Sequence, residues 1–552
     1  MKSIADILAV LVFAAGTAVA QTTIDQNSVT NAASYLSPGL PNYGIAQGSM
    51  FIVKGQNLGS CPTTLPPPLP LPTTMNGTGV KITVGGTTVD AFMVYVYCPE
   101  GATGATQIAA IAPSNTPVGN GSITIKDKTA PIKVVKTAFG MFTVNQAGSG
   151  PAIVQNYVSA TSTPTNLLTE AAYPGQPVIL WGTGLGPIAG NDAGTPPVGN
   201  LDVDVQVFVG GKQANVFYKG RSAEFPGIDQ INFYLPMDLE GCYVPVVVKA
   251  GGVVSNFGSV AIAKTGKVCS DPNGFTVEEL NKLASGSLNF GHVSLSRLVL
   301  SVPQLGSFEL ATDTGSGTFL HYLPNTLLAA QLPLGTSLYG TCLVFTYTGA
   351  NPFPVDPIKP AGLDAGAKLT VSGPKGQKDL PANATVKGVY SATLGGGGTP
   401  FGGGQPLYLD PGAYTITGPG GADIGAFSVP MSIPQWVTWT NRDAITSVPL
   451  SQNLNITWTG GDPGSYVAIL GASATSNQIG AAFLCTEKTS VGHFTVPAEV
   501  LMSLPQSAIV QGSSTGYLAV SNSGVPVRFQ ASGCDVCTAN YTITNAKTVN
   551  FQ

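Results

Sequence analysis

The chain has 552 residues, only 9% of them charged, and a net charge of −4 without a basic or acidic block. So little positive charge argues against nucleic-acid binding, which requires neutralisation of a phosphate backbone. With 43% hydrophobic residues the composition is that of a folded chain. The 69 glycines and 43 prolines separate short β-branched runs, a pattern that predicts a mainly-β protein.

Residues 1–20 have the pattern of a secretory signal peptide. Lys2 supplies a positive start, residues 7–15 form a short apolar run, and Ala18-Val19-Ala20 gives the small-x-small cleavage pattern. The run is shorter than the roughly 20 residues that a membrane-spanning helix needs. We therefore expect cleavage near Ala20, a secreted or cell-surface protein, and no membrane span.

Eight cysteines follow this leader. In an exported protein they are expected to form structural disulfides, although the sequence leaves their pairing open. The last two form a C-x-x-C, but no thioredoxin-like βαβ pattern surrounds them. The cysteines are Cys61, Cys98, Cys242, Cys269, Cys342, Cys485, Cys534 and Cys537.

An internal repeat occupies the front half of the chain. Four segments recur in the same order, displaced by 123 to 127 residues, as loop insertions and deletions would produce. The matched pairs are 46–59 with 173–186, 80–86 with 205–211, 106–113 with 229–236, and 121–125 with 244–248.

Each copy has the pattern of a small sandwich. Apolar residues alternate with polar ones in the strand pattern of residues 80–84, and Gly85-Gly86 and Gly210-Gly211 are typical of hairpin turns. About seven short strands over roughly 110 residues suit a β-sandwich. The predicted fold class is mainly β, with tandem immunoglobulin-like β-sandwich domains at 27–140 (module 1) and 141–265 (module 2).

The repeated residues resemble a known family. The glycine-rich corner at 48–59, the V-x-V-G-G hairpin and the Q-I-x-x-x-x-P strand are similar to IPT/TIG-type immunoglobulin-like modules of acidobacterial secreted proteins. The resemblance covers roughly residues 27–265. It implies binding or spacing rather than catalysis, and it brings no catalytic residue or cofactor.

One short helix is predicted between the halves. Thr276-Val-Glu-Glu279 forms a capping box, and Phe275 and Leu280 occupy the two hydrophobic-staple positions. The helix should run from about Thr276 to Ser285 within a helical linker at 270–287.

The back half is predicted to be β-rich at 288–431 and a C-terminal β-sandwich at 432–552. A further helical turn is expected within 496–504. Strands at 454–458 and 466–470, joined by the Gly460-Gly-Asp-Pro-Gly464 turn, predict a hairpin.

No catalytic, cofactor or metal site stands out. His292, His321 and His493 are widely separated in sequence, which disfavours a histidine metal site. Residues 512–516 match G-x-S-x-G. A nucleophile elbow requires a helix after this motif, and the sequence predicts a strand there instead. Asp313-Thr-Gly matches the aspartic-protease loop, but the sequence has no second copy, and we expect a turn between strands there.

Two functions remain open. The first is a non-enzymatic surface or secreted protein that binds a glycan, matrix or protein ligand, with Trp436 and Trp439 as candidate contact aromatics. The second is a secreted hydrolase with accessory modules. Its candidate carboxylates lie in turns of the 288–431 region: Glu309, Asp313, Asp356 and Asp364.

Overall fold

The computed structural model describes residues 21–65, 68–101, 103–271, 274–302, 308–323, 338–349, 360–397 and 404–552. The predicted signal peptide and Asp356 lie outside these residues. Within the described ranges, no helix has both the length and the apolar character needed to cross a membrane.

Module 1 is a sandwich of a five-stranded and a six-stranded sheet. The first runs β1-β4-β9-β8 with β2 beside β4, and the second runs β3-β11-β10-β6-β5 with β7 beside β6. This is the A-B-E-D and A′-G-F-C order of immunoglobulin-like domains. The strands are β1 Thr23–Ile24, β2 Thr30–Asn31, β3 Ile45–Ala46, β4 Met50–Gln56, β5 Thr74–Met75, β6 Thr78–Val84, β7 Thr87–Asp90, β8 Phe92–Tyr97, β9 Ala105–Ile111, β10 Gly119–Ile125 and β11 Lys128–Val135.

Module 2 repeats this arrangement with one difference. The long strand β16 pairs with β17 on one side and β15 on the other, so the strands form one nine-stranded sheet of order β12-β14-β17-β16-β15-β18-β19. Strands β13 and β20 pair with β14 and β18. The strands are β12 Gly140–Met141, β13 Val154–Asn156, β14 Pro177–Thr183, β15 Val205–Val209, β16 Lys212–Arg221, β17 Asp229–Tyr234, β18 Gly241–Ala250, β19 Val253–Val254 and β20 Gly258–Ile262.

The predicted hairpin turns are confirmed. Gly85 and Gly86 have φ of 56° and 83°, and Gly210 and Gly211 have φ of 55° and 75°. Residues with side chains rarely adopt these values, and two successive positive φ angles give the twist that a two-residue hairpin needs. The immunoglobulin-like repeat is therefore present in the fold as well as in the sequence.

The linker helix α1 runs over Val277–Ser285. Thr276 Oγ1 accepts the Glu279 N–H at 3.2 Å, and the Thr276 N–H donates to the Glu279 carboxylate at 2.8 Å, so the capping box forms as predicted. Phe275 and Leu280 are both buried in one apolar cluster with Cys242 and Cys269, which anchors the helix to module 2.

A ten-stranded sheet organises the back half, in the order β23-β34-β33-β38-β40-β21-β22-β24, with β27 beside β22 and β39 beside β40. Two smaller sheets, β26-β25-β28-β29 and β30-β32-β35, complete two cores on it. The larger strands are β21 Leu288–Val302, β22 Phe308–Tyr322, β23 Thr341–Thr348, β25 Lys368–Gly373, β26 Gly376–Pro381, β27 Val389–Gly396, β28 Gly412–Gly418, β29 Phe427–Ile433, β32 Leu454–Gly460, β33 Tyr466–Ala474, β34 Ile479–Lys488, β38 Tyr517–Ser523 and β40 Val536–Thr548.

Short elements complete this half. A second helix, α2 Ala498–Leu501, lies within the predicted 496–504 segment. The remaining elements are β24 Ala361–Gly362, β30 Val437–Trp439, β31 Ser447–Val448, β35 His493–Val496, β36 Ile509–Val510, β37 Ser513–Ser514, β39 Val527–Phe529, β41 Asn550–Phe551 and a 3-10 turn at Thr489–Val491.

The ten-stranded sheet crosses the proposed limit between residues 431 and 432. Strand β21 pairs in parallel with β40 over twelve residue pairs, and β23 pairs with β34. Strand β23 also places Cys342 and Val344 in the core built mainly from residues 437–551. The regions 288–431 and 432–552 are therefore joined through one sheet and share strands across the limit.

The predicted hairpin around residues 460–464 is wrong. Strand β32 pairs with β30 and β35, whereas β33 pairs with β34 and β38, so the turn carries the chain between two sheets. Ile456 and Val467 meet in the same core from the two strands. The apolar alternation of the two strands is present, but it is the same for a hairpin and for two strands that face each other across a core.

All eight predicted cysteines form disulfides, and the described residues hold no free cysteine. Four bridges on a mainly-β chain suit an oxidising compartment outside the cytosol. The pairs are Cys61–Cys98, Cys242–Cys269, Cys342–Cys485 and Cys534–Cys537.

Candidate binding face of module 2

The outward face of β13, β14, β17 and β16 carries an ordered set of side chains. Pairing of the strands places Tyr157, Pro177 and Tyr234 in one row. The next row holds Gln155, Ile179, Asn232 and Tyr218. The third pairs Trp181 with Gln230. We call these residues, together with Phe217, the module 2 face.

Alternation along the strands produces this face. Val178 and Leu180 of β14, and Ile231 and Phe233 of β17, are buried in the module 2 core. Because successive side chains of a strand point to opposite sides, their neighbours must point outward. The core thus fixes the direction of every side chain on the module 2 face.

Aromatic rings are the most exposed part of the module 2 face. Tyr234 is 44% exposed, and its ring centroid lies 4.9 Å from that of Phe217. Phe217 is the extra residue of a β-bulge between Val216 and Tyr218, and the bulge allows its ring to point outward. Tyr157 is exposed at the other end of the same row. Large exposed aromatics grouped on one surface are typical of interaction sites.

Amides lie beside the rings. Trp181 Nε1 donates to Gln155 Oε1 at 2.9 Å, and Gln230 Nε2 donates to Asn232 Oδ1 at 2.9 Å. These bonds hold the half-buried amides in place while each keeps further donor or acceptor capacity. The three rows contain no charged residue. The module 2 face can therefore bind an uncharged ligand through ring stacking and hydrogen bonds to hydroxyl groups.

The two tryptophans predicted as contacts have different positions. Trp439 is 6% exposed and lies in the core, where its Nε1 donates to Asn441, so it is a core residue and the prediction of a ligand contact there is corrected. Trp436 is half-buried, and the Arg297 guanidinium lies 5.4 Å from its ring centroid. One side of that ring is thereby occupied.

The carboxylates of the hydrolase hypothesis are separate. Glu309 pairs with Arg442 on the surface at 2.8 Å. Asp364 accepts the N–H groups of Gly366 and Ala422. Among the described residues, no hydrogen bond or ion pair links Glu309, Asp313 or Asp364 to one another.

Asp313 is a structural residue in the middle of β22, and the expected turn is wrong. Its carboxylate is fully buried and accepts two bonds from Arg297, at 2.7 and 2.8 Å. It also accepts the N–H groups of Tyr408 and Leu409 at 2.6 and 2.8 Å. With these four bonds the carboxylate has no free site for a substrate proton.

The histidines and the G-x-S-x-G segment make no catalytic arrangement in the described part of the chain. Burial lowers the pKa of His292 to about 4, so the ring is neutral beside Thr538. His321 contacts Asn289, and His493 is exposed. Ser514 lies in the β36–β37 hairpin, where its hydroxyl donates to Val549 O.

Comparisons with known proteins give no family. No family model and no curated protein matches the chain. Among solved structures, domains 5–6 of the S-layer protein SbsC match at 14% identity and a TM-score of 0.17, covering 44% of this chain and 100% of that chain. The Bacteroides ovatus mixed-linkage glucan utilization locus protein SGBP-B, in complex with a mixed-linkage heptasaccharide, matches at 10% identity and 0.13, covering 87% and 93%.

The titin I9–I11 tandem matches at 7% identity and a TM-score of 0.12, covering 70% of this chain and 93% of that chain. Overlaps this low carry no argument about function. The immunoglobulin-like description of the modules rests on their own strand order.

The module 2 face is not evident from the sequence alone. Its signal was present in the alternation of Pro177, Ile179 and Trp181, and in Gln230, Asn232 and Tyr234. These residues appear as two unrelated strands until the pairing of β14 with β17 is known.

Proposed function

We propose that the protein is an exported, non-enzymatic binding protein whose module 2 face binds a neutral polysaccharide. The observation that carries the proposal is the exposed Phe217–Tyr234 pair beside the uncharged amide rows. Aromatic rings stack on the apolar faces of sugar rings, and amides match their hydroxyl groups. The IPT/TIG-type assignment and the limits of modules 1 and 2 belong to this proposal.

Trp436 remains a secondary contact in the proposal, through the part of its ring that Arg297 does not cover. The alternative of a hydrolase has less support. Asp313 is saturated by four hydrogen bonds, and Glu309 is paired with Arg442.

A glycan array tests the proposal. Intact protein should bind at least one neutral glycan without releasing reducing ends. Loss of a central stacked ring should weaken binding about tenfold in a Tyr234→Ala variant, as for a central interface aromatic. Tyr97→Ala is the matched control, because Tyr97 of module 1 is also 44% exposed.

Binding that is equal in Tyr234→Ala and Tyr97→Ala would place the ligand elsewhere and reject the module 2 face. Release of reducing ends from the bound glycan would favour the hydrolase alternative. A Trp436→Ala variant should bind more weakly than the wild type by a smaller factor than Tyr234→Ala.

A further inference from the structure

A second uncharged surface lies on the outward face of the ten-stranded sheet. Strand pairing aligns Thr393, Thr314, Ser296, Thr542 and Ser523 in one row across β27, β22, β21, β40 and β38. Five successive strands thus contribute a hydroxyl group each at the same level of the sheet.

The neighbouring rows continue the pattern. On one side Ser391, Ser316 and Ser294 align, and on the other Thr312, Thr544 and Ser521 flank Leu298. Neighbours within a row are about 4.8 Å apart, and successive rows about 6.7 Å apart, because alternate residues share a face. The result is a two-dimensional grid of hydroxyl groups, which we call the hydroxyl grid.

The opposite side of the same strands fixes the hydroxyl grid. Val293, Leu295, Ala539, Tyr541 and Ile543 are buried in the core beneath it. Side chains on the grid are half-buried or exposed, as expected for the open side of a sheet, except at its edge, where Ser523 is 3% exposed. Threonine side chains are also stiff at χ1, so ordering them on binding costs little entropy.

Hydroxyl groups of the grid are joined in pairs. Ser296 and Thr314 are 2.8 Å apart, Ser523 and Thr542 3.0 Å, and Ser521 and Thr544 2.8 Å. In the Ser296–Thr314 and Ser521–Thr544 pairs one hydroxyl donates to the other, so each pair retains one donor hydrogen and acceptor lone pairs for a ligand. A partner that both donates and accepts matches this surface, as hydroxyl groups do. Phosphates and carboxylates only accept, and ammonium groups only donate.

The absence of charge on the named grid positions also favours a partner that is rich in hydroxyl groups and uncharged. None of the row positions named above is charged, so the grid offers no counter-ion for a charged polymer. A regular array also binds best to a partner with its own regular spacing, since many weak contacts then form together.

We propose that the hydroxyl grid binds the ordered surface of an insoluble, neutral polysaccharide. The inference extends the proposed function to a second face and specifies the physical state of the ligand. The module 2 face would hold a single chain by ring stacking, and the hydroxyl grid would lie flat against packed chains.

Co-sedimentation with microcrystalline cellulose and with insoluble chitin tests the inference. We expect intact protein to pellet with at least one of them. The triple variant Ser296→Ala, Thr314→Val, Thr542→Val should lower the partition constant about tenfold, through the loss of three hydrogen-bonding groups. Valine keeps the shape and strand preference of threonine.

The matched control is Thr83→Val, Thr88→Val. These residues form a cross-strand hydroxyl pair of 2.8 Å on module 1, away from the grid. The control should pellet as the wild type does, and circular dichroism on heating should show that all variants fold.

Other outcomes separate the two proposals. If the triple variant pellets normally while Phe217→Ala, Tyr234→Ala does not, the hydroxyl grid is rejected and the module 2 face stands. If only the triple variant fails to pellet, the grid stands, and the module 2 face is judged by the Tyr234→Ala and Tyr97→Ala comparison on the array. Failure of the wild type to pellet with either solid also rejects the grid.

Discussion

Modules 1 and 2 fix the same glycine-rich corner with different chemistry. In module 1, Thr106 Oγ1 accepts the N–H of Leu58 in the corner at 2.9 Å. In module 2 the aligned residue is Asp229, whose carboxylate accepts the N–H groups of Gly184 and Leu185 at 2.6 and 2.7 Å. Both modules place an oxygen of the β9 or β17 strand under the corner.

A second interaction that holds this corner also differs between the modules: a disulfide in module 1 and a buried ion pair in module 2. Cys98 of module 1 joins Cys61 just beyond the corner. At the aligned position module 2 has Arg221, which pairs with Asp229 and donates to Gly186 O at 2.7 Å. Burial raises the pKa of the Asp229 carboxyl, and the charge of Arg221 opposes this rise. A covalent tie and a buried ion pair thus serve the same local geometry.

The ion-paired version recurs in the back half. Arg297 faces Asp313 across β21 and β22, Asp313 accepts two successive N–H groups, and Arg297 also donates to Leu409 O. The hydrogen bonds to Asp313 raise the pKa of Arg297, which stays charged. In both places a facing Arg–Asp pair holds a loop against a sheet, because the carboxylate also accepts two successive backbone N–H groups.

The largest effect on stability is expected from breaking the Arg221–Asp229 ion pair of module 2. Arg221→Ala leaves Asp229 buried without its counter-charge and should destabilise module 2 by about 3–5 kcal/mol. Hydrogen exchange of peptides covering 177–186 and 229–234 reports this locally, which suits a multi-domain chain. Arg221→Met, Asp229→Leu should exchange more slowly than the single variant, since no lone charge remains. Faster exchange in the double variant would contradict this reading.

Removal of the Cys61–Cys98 disulfide of module 1 should have the next largest effect on stability. Cys61→Ser, Cys98→Ser opens a loop with a sequence separation of 37 residues and should cost about 3–4 kcal/mol. The measurement is hydrogen exchange of peptides covering 50–59 and 105–111. The control Cys534→Ser, Cys537→Ser opens a separation of only 3 residues and should cost much less. Equal effects of the two double variants would show that loop closure is not the cause.

Asp271, in the linker beside module 2, shows the behaviour of a buried carboxylate that has no arginine partner. Burial raises its pKa to about 6, opposed by the Cys242 N–H at 3.0 Å and reinforced by Glu240. The raised pKa means that protonation stabilises the folded chain. This stabilisation is fully present below pH 3.8, the pKa of the carboxyl in the unfolded chain. It is lost as the pH rises through about 6, the pKa in the folded chain.

The contribution of Asp271 should be about 3 kcal/mol between these limits. In chemical unfolding from pH 4 to 7 the wild type should therefore lose stability relative to Asp271→Asn, because His292, whose lowered pKa acts in the opposite direction, is present in both proteins. An unchanged slope in Asp271→Asn would assign the pH dependence to another group.

The smallest effect is expected from the threonine of module 1. Thr106→Val leaves the Leu58 N–H without its acceptor and should cost about 1 kcal/mol while the disulfide holds the corner. Thr88→Val, an exposed strand threonine, should change stability by less. Hydrogen exchange at Leu58 distinguishes the two, and equal protection would show that Thr106 does not hold the corner.

Features set by local sequence were predictable. The glycine hairpins, the Thr276 capping box and the repeat each depend on residues close together in the chain. The disulfides followed from the cysteine count and the leader. No local signal shows that β21 and β40, about 246 residues apart, lie side by side.

The candidate sites were not predictable for the same reason. The module 2 face requires the pairing of β14 with β17 and a bulge at Phe217, and the hydroxyl grid requires the register of five strands. A tryptophan such as Trp439 is conspicuous in the sequence, but only packing shows that it is buried.

Fluorescence of Trp181 offers the most direct test that the module 2 face is a binding site. Titration of intact protein with a neutral glycan from the array should change its emission to saturation, because Trp181 lies in the third row beside Gln230. The Trp181→Phe variant should lose most of this signal while still binding on the array, and Trp436 can supply the remainder. Binding that leaves the wild-type emission unchanged, or a signal of full size in Trp181→Phe, would show that the module 2 face is not the binding site.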